Sequence, residues 1–422
     1  MKLQKILERL QKLHPKEIDL SLDRTINLCQ KLGNPQNELN CIQVCGTNGK
    51  FSTIQALRAI LIDANYKCNI YTSPHIKRIN ERFIYDNKEI NDDQLAKLLS
   101  KVEEINDGNE ITFFEILTAA FFYGCKKYTK NITICEFGLF ARFDAVNILK
   151  RNMANIVTAI GLDHLDWLPK EKQTIEQIIF EKTSALLNSK IIVAKQSSSE
   201  ISKKIEDTIK NNTSKKIIFN KDYSFALKEN NFFYFEDEFG GIKLPKPNLP
   251  GDFQIENIST AIATVRQLPG YQITDDNIKK GITKIKSIAR LQEIKSGKLK
   301  NLVKNNKLFV DGSHNPLGAK ALNQYLKSLN CNKHVILGMM ANKDHKEYMS
   351  YFEDIKSLTT IDILNQPNAI KGNELKDKIK NFKNIKYQNS IENAITSIDI
   401  QENDIILITG SLYLAGEVLN LN

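Results

Sequence analysis

The sequence predicts an α/β chain of two domains, each organised around a mostly parallel sheet with helices on both faces. Three observations carry that expectation. Short β-branched runs, CIQVC at 41–45, NITICEF at 131–137, NIVTAI at 155–160 and KIIVAK at 190–195, alternate with amphipathic stretches at 92–105, 113–129 and 173–187. From about 216 to 245 the pattern changes to short alternating segments, IIFN, YSFAL, NFFYFED and GGIKL, which predict a small antiparallel meander. A second alternation begins near 290, with the buried-type runs KLFVDGSH at 307–314, KHVILGM at 333–339, TTIDIL at 359–364 and DIILITG at 404–410. No Pro/Gly-rich linker marks the junction, and the boundary is placed between domains of 1–287 and 288–422.

Length and composition agree with this reading. A chain of 422 residues exceeds one ordinary core. Its 41% apolar and 26% charged residues are the balance of a globular enzyme rather than a disordered chain. No run approaches the roughly 20 apolar residues that a membrane-spanning helix needs. The opening MKLQKILERLQKLHPKEIDL reads as a charged amphipathic helix, not a secretory signal, so the expectation is a cytoplasmic protein without a membrane partner. Seven scattered cysteines with no CxxC pair predict buried, reduced thiols rather than disulfides or a zinc site. The net charge of +10 is spread along the chain, with no basic block interleaved with aromatics. It implies a field that favours anionic ligands and argues against nucleic acid as a partner.

The segment CIQVCGTNGKFST at 41–53 reads as a strand, a small-residue turn and the start of a helix over 52–64. That arrangement suits triphosphate. Backbone N–H groups of Gly46, Thr47, Asn48, Gly49, Lys50, Phe51 and Ser52 form a concavity, the helix N-terminus adds partial positive charge, and Lys50 adds a full one. The loop departs from GxxxxGK[ST], which would need glycine at Val44 and a hydroxyl in place of Phe51. Read alone, it is also compatible with a Gly/Asn turn and a solvated lysine.

Other chemistry-bearing residues sit where open α/β sheets present ligands, at strand ends. Glu136 ends NITICE; Asp163 and His164 follow the strand at 155–160; Asp311 and His314 follow the strand at 307–310. Ser73, in YTSPH after the strand CNIY, has a hydroxyl suited to a cation. Glu181 and Lys182 interrupt the apolar helix IIFEKTSALL, and Gln254 and Asn257 share one face of another helix.

These segments resemble, in order, the motifs of the Mur ligase superfamily, specifically its dihydrofolate synthase/folylpolyglutamate synthase branch. VCGTNGKFST is similar to that branch's V-x-GTNGKG[ST], YTSPHIKRINER to its TSPHL…NER, and EFGLFARFDAVNI to EVGLGGRLDATNV. GLDH at 161–164, EK at 181–182, GDFQIEN at 251–257, Arg290, DGSHNP at 311–316 and TGSLY at 409–413 continue the match. Phe51 and Phe140-Ala141 replace family glycines. The resemblance implies a P-loop ATPase domain followed by a Rossmann-like glutamate-ligase domain. It implies two magnesium ions held by Ser73, Glu136, His164 and Lys182, the lysine as a carbamate. It places Gln254, Asn257, Arg290 and Asp311 on ATP, and Arg82, Asp163 and Ser411 on substrate. Lys50, His164, Lys182 and His314 are then the catalytic set.

The implied reaction is carboxylate activation by ATP, followed by amide formation with L-glutamate on a pteroate or folate acceptor, by a monomeric enzyme. A peptidoglycan-precursor ligase of the same superfamily is the nearest rival. It would carry a separate nucleotide-sugar domain ahead of the loop, and 45 residues precede Gly46. A non-catalytic nucleotide-binding module is the other rival, and would need neither the metal set nor a second α/β domain.

Overall fold

A computed structural model describes residues 2–16, 19–228, 231–380, 382 and 384–422. Met1, Glu17 and Ile18, at the edges of the expected N-terminal helix, lie outside the described residues; the helix itself spans Lys2–Gln11 and buries Ile6 and Leu10. The chain divides into two compact units. The first comprises Met1–Ile160, Thr174–Asn248 and Glu256–Ile285; the second comprises Lys286–Asn422 with two earlier segments, Gly161–Gln173 and Leu249–Ile255.

In the first unit, β1 (Asn40–Cys45), β2 (Cys68–Tyr71), β3 (Phe83–Tyr85), β4 (Lys88–Glu89), β5 (Ile132–Glu136), β6 (Ala154–Val157), β7 (Lys190–Val193) and β8 (Lys216–Ile218) form one sheet. Its order is β4-β3-β2-β5-β1-β6-β7-β8. β1 lies parallel between β5 and β6, with Val44 opposite both Glu136 and Ile156. Every β5 and β6 residue is buried, which explains why those stretches read as continuous apolar runs. The expected meander is present as β9 (Tyr223–Lys228), β10 (Phe232–Asp237) and β11 (Gly240–Pro245). IIFN is not its first strand. It supplies β8, which pairs parallel with β7 as the edge of the large sheet. A three-residue strand carries too little period to reveal which sheet it joins.

The second unit holds β12 (Gln292–Ile294), β13 (Lys307–Val310), β14 (Lys333–Leu337), β15 (Ser357–Ile361), β16 (Lys386–Gln388) and β17 (Ile405–Thr409). They are ordered β12-β13-β17-β14-β15-β16, parallel except for β12. Leu322, Leu326, Val335, Tyr348, Leu375 and Leu407 are among the residues of its core. Consequently the loops after β13, β14 and β17 emerge at the same edge of this sheet.

All seven cysteines are free; six are buried as expected, and Cys331 is partly exposed. Burial pushes the Cys45 thiol up to about 12.

At the opposite edge of the second sheet, His334 and Asp404 form a buried pair, each 2% exposed and 3.0 Å apart. Burial alone would raise the Asp404 pKa. The Gln401 N–H, the His334 and Asn332 side chains and the Lys356 charge outweigh it and hold the carboxyl at about 2. Because the folded value lies below the unfolded one, this stabilisation is complete above about pH 4 and fades as pH falls towards 2. Asp404→Ala should therefore cost about 3 kcal/mol at neutral pH, by removing the shared acceptor of His334 Nε2, Asn332 Nδ2 and the Gln401 N–H. Urea titrations should show the gap between the variant and the native chain narrower at about pH 3 than at about pH 7; an unchanged gap would contradict the assignment.

Near the start of the second unit, Ala289 has φ +51° and is fully buried. A left-handed backbone is unfavourable for alanine. Ala289→Gly should raise stability by about 0.5–1 kcal/mol in denaturant unfolding.

Candidate active site

The loop Gly46–Lys50 leaves the C-terminal end of β1 and is held from the side by β6. The N–H groups of Thr47 and Asn48 both donate to the Ala159 carbonyl, at 2.9 and 3.1 Å. The following helix spans Lys50–Asp63, starting two residues earlier than expected, with Gly49 at its N-terminal boundary at φ +88°. Gly46 has φ +140°, and a Cβ there would stand 2.0 Å from Thr158 Oγ1. A Cβ on Gly49 would stand 2.3 Å from Asn257 Oδ1, so the Asn257 amide packs directly on the loop. Both glycines are thus fixed by close approach as well as by φ. Phe51 is partly exposed in the first helical turn, and its side chain is accommodated there.

Lys50 folds back over this loop. Its Nζ donates to the Gly46 and Thr47 carbonyls at 3.2 and 3.3 Å and lies 3.8 Å from Glu136 Oε1. Glu136, at the end of β5, also accepts the Ser73 N–H at 3.2 Å through Oε2. Three expected residues from three segments, Ser73, Lys50 and Glu136, are therefore assembled beside the loop. Arg82 donates through Nε to His75 Nδ1 at 3.0 Å; burial, then the Arg82 charge, push His75 down to about 4, so its ring is a neutral acceptor at pH 7.

Lys182 is 2% exposed. Its Nζ donates to the Leu139 carbonyl at 2.7 Å and stands 5.5 Å from the Phe140 ring centre. The Phe140-Ala141 replacement has thus filled the lysine's surroundings with an aromatic face. The Glu181 carbonyl accepts the Ala141 and Arg142 N–H groups, and the Glu181 carboxylate accepts from Arg142 Nε and Nη2, each at 2.8 Å. Asp144 organises this loop, accepting the Gly138, Leu139 and Val146 N–H groups. Burial raises its pKa to about 6 against the pull of the Val146, Gly138 and Leu139 N–H groups and the Lys182 charge.

His164 and Asp163 belong to the second unit, in the segment Gly161–Gln173, with His314, Asp311, Arg290 and Ser411. The Asp163 carboxylate accepts from His164 N–H at 2.9 Å, Lys343 Nζ at 2.6 Å and Asn315 Nδ2 at 2.9 Å, and His314 Nε2 lies 3.4 Å from it. Burial would raise this carboxyl, but the His314 hydrogen bond and the His164, His314 and Lys343 charges hold it well below the usual range. His314 Nδ1 faces the Gly312 carbonyl at 3.0 Å. Asp311 accepts the Leu291 and Ser313 N–H groups at 2.6 and 2.7 Å, and burial raises its pKa. Ser411, 2% exposed, caps the helix Leu412–Leu421 by accepting the Tyr413 N–H, which leaves its O–H proton to donate. Gln254 is fully buried, so it is not the exposed amide that a surface helix would carry.

Among the described residues, no three His, Cys, Asp or Glu side chains come together as a metal site. The donors that do meet, the Ser73 segment and Glu136, are hard oxygen groups beside a phosphate loop. Such a set fits magnesium, which completes its shell with water and phosphate oxygens.

Residues 44–265 match the family model of the Mur ligase middle domain, and residues 297–412 match that of the Mur ligase, glutamate ligase domain. The chain belongs to the Mur ligase family. Among its Mur ligase relatives, a dihydrofolate synthase/folylpolyglutamate synthase of Haemophilus influenzae is 27% identical over 430 residues, spanning 97% of this chain and 95% of the relative. A solved structure of Escherichia coli FolC in complex with DHPP and ADP is 26% identical, with a TM-score of 0.86 over 99% of this chain and 97% of that one. A Yersinia pestis folylpolyglutamate synthase/dihydrofolate synthase structure, complexed with AMPPNP and Mn, shares the fold at 23% identity and TM-score 0.86, covering 99% of this chain and 97% of that one.

Lys343 is the residue that sequence reasoning missed. A lysine in the turn ANKDH carries no motif, and its partner lies 180 residues away. For the loop itself, Gly46→Ala should destabilise the protein by about 2 kcal/mol or more in urea unfolding, through clash and backbone strain. Thr158→Ala in the same chain should restore only part of that loss, because the φ of Gly46 remains.

Proposed function

We propose that this chain is an ATP-dependent ligase that joins L-glutamate to dihydropteroate, to a glutamated reduced folate, or to both. The observation that carries the reading is the meeting of Lys50, Glu136 and the Ser73 segment at the phosphate loop, in a Mur ligase aligned over nearly its whole length with dihydrofolate and folylpolyglutamate synthases. The relatives' complexes with ADP, and with AMPPNP and manganese, support nucleotide and a divalent ion as its ligands.

The acceptor's carboxylate oxygen attacks the ATP γ-phosphorus, the bond to the β,γ-bridging oxygen breaks, and ADP leaves with an acyl phosphate formed. The α-amino nitrogen of glutamate then attacks the acyl carbon, inorganic phosphate departs and the amine proton is lost. The helix N-terminus at Gly49–Ser52 and the Lys50 ammonium hold the phosphates and offset the charge of the transferring group, while the Thr47 and Asn48 N–H groups fix the loop on Ala159. Asn257 lines the loop, and Gln254, Arg290 and Asp311 serve the nucleoside end. Ser73, Glu136, His164 and Lys182 as a carbamate would hold two magnesium ions, which when bound neutralise phosphate oxygens. His314 and Ser411 face the amino-acid step, and Arg82 the acceptor. We further take the enzyme to act in the cytoplasm, a reading supported by its free, buried thiols, and to act as a monomer, as the family resemblance implies.

ADP release should require ATP, magnesium, glutamate and either dihydropteroate or tetrahydrofolate. Release with neither acceptor would overturn the proposal. Lys50→Ala should reduce turnover by about 10²–10³-fold, the usual loss on removing one group that stabilises transition-state charge.

A further inference from the structure

We propose that Lys343 and Asp163 form a positioning pair for the ligation, with Lys343 holding the Asp163 carboxylate and Asp163 holding His314. The inference rests on the ligase reading of His314 given above.

Asp163 is only 7% exposed, yet it joins three loops of the second unit. Its Oδ1 takes the Lys343 ammonium and the His164 N–H, and its Oδ2 takes Asn315 Nδ2 and faces His314 Nε2. His164 Nε2 lies 4.0 Å from the same Oδ2. One carboxylate thus stands between the two histidines to which the reaction assigns work. Asn315 is itself fixed, because its Oδ1 caps the helix Pro316–Lys327 by accepting the Gly318 N–H.

The Lys343 end is equally well anchored. The turn after β14 is tied by the Ala341 N–H to the Asn368 carbonyl and by a bridge between Met340 and Ala369. His345 Nε2 faces the Met340 carbonyl at 2.9 Å, and Asp344 caps the next helix, accepting the Glu347 N–H. A second strap, Asn342 Nδ2 to Asp166 Oδ2 at 3.0 Å, joins the same two loops nearer the solvent. Lys343 therefore offers a charge at a fixed place, and Asp163 is set against it.

The energetics explain why such a lysine would matter. A buried carboxylate is costly unless its charge is compensated, and losing one partner leaves the other to seek new ones. Without Lys343, the Asp163 oxygens would be drawn to their remaining donors, His314 and Asn315, and the imidazole would leave its working position. Displacements of about 1 Å at a reacting group cost about 10²-fold in rate.

The test uses the full chain as Lys343→Met, Lys343→Arg, Asp163→Asn and the Lys343→Met/Asp163→Asn double variant. Lys343→Met should lower kcat about 10²-fold while ADP affinity stays within about threefold. Lys343→Arg, which keeps the charge, should recover to within about fivefold of the native chain. The double variant should be no slower than the slower single one, as expected for residues acting as one unit. In ¹⁵N-histidine spectra, with the His314 signals assigned through His314→Gln, those signals should move in Lys343→Met and return in Lys343→Arg. Equal impairment of Met and Arg, additive losses, or unmoved His314 signals would overturn the pair. If the native chain releases no ADP with either acceptor, the ligase reading fails, and the imidazole spectra alone still decide whether Lys343 holds His314 through Asp163.

Discussion

The amide protons of Thr47 and Asn48 converge on a single oxygen, the Ala159 carbonyl just beyond β6. That pair of hydrogen bonds bends the phosphate loop sideways onto the neighbouring strand's extension. Much else follows from it. Gly46 is pressed against Thr158, so no side chain fits there, and Lys50 is turned back over the loop carbonyls towards Glu136. The bend is possible because β1 is central, with β5 on one side supplying Glu136 and the chain leaving β6 on the other supplying the anchoring carbonyl. The site is a property of strand order before it is a property of side chains.

The second unit repeats the arrangement with different chemistry. Its parallel strands again release polar residues at one edge, but the organising group there is a carboxylate rather than a carbonyl. Asp163 collects an ammonium, an amide, an imidazole and a backbone N–H, so the loops after β13 and β14 share one centre of charge with the segment carrying His164. Asp311, by contrast, is held by backbone N–H groups from two sides, which fixes its place at the end of β13.

The strands were legible in the sequence wherever burial on both faces produced a continuous apolar run, as in CIQVC and DIILITG. Short edge strands were not. KEI and QEI carry charges on open edges, and IIFN gave no sign that it joined the large sheet. The loop and the strand-end acids were readable because their positions follow from local order along the chain. The Lys343 partner of Asp163 was not legible, because nothing local marks a group so distant in sequence. Likewise the aromatic face beneath Lys182 depends on how one loop folds over a helix, which the two glycine replacements signalled without specifying.

The distribution of sulfur has a practical corollary. Six thiols are enclosed, and Cys45, one residue ahead of the phosphate loop, has its ionisation pushed far from neutrality. Thiolate is the reactive form, so electrophilic labels should leave the first unit untouched. Cys331, ahead of β14, is the partly exposed exception. The native chain therefore carries a built-in single attachment point for a fluorophore or spin label on its second unit, with no engineered cysteine and no background to remove.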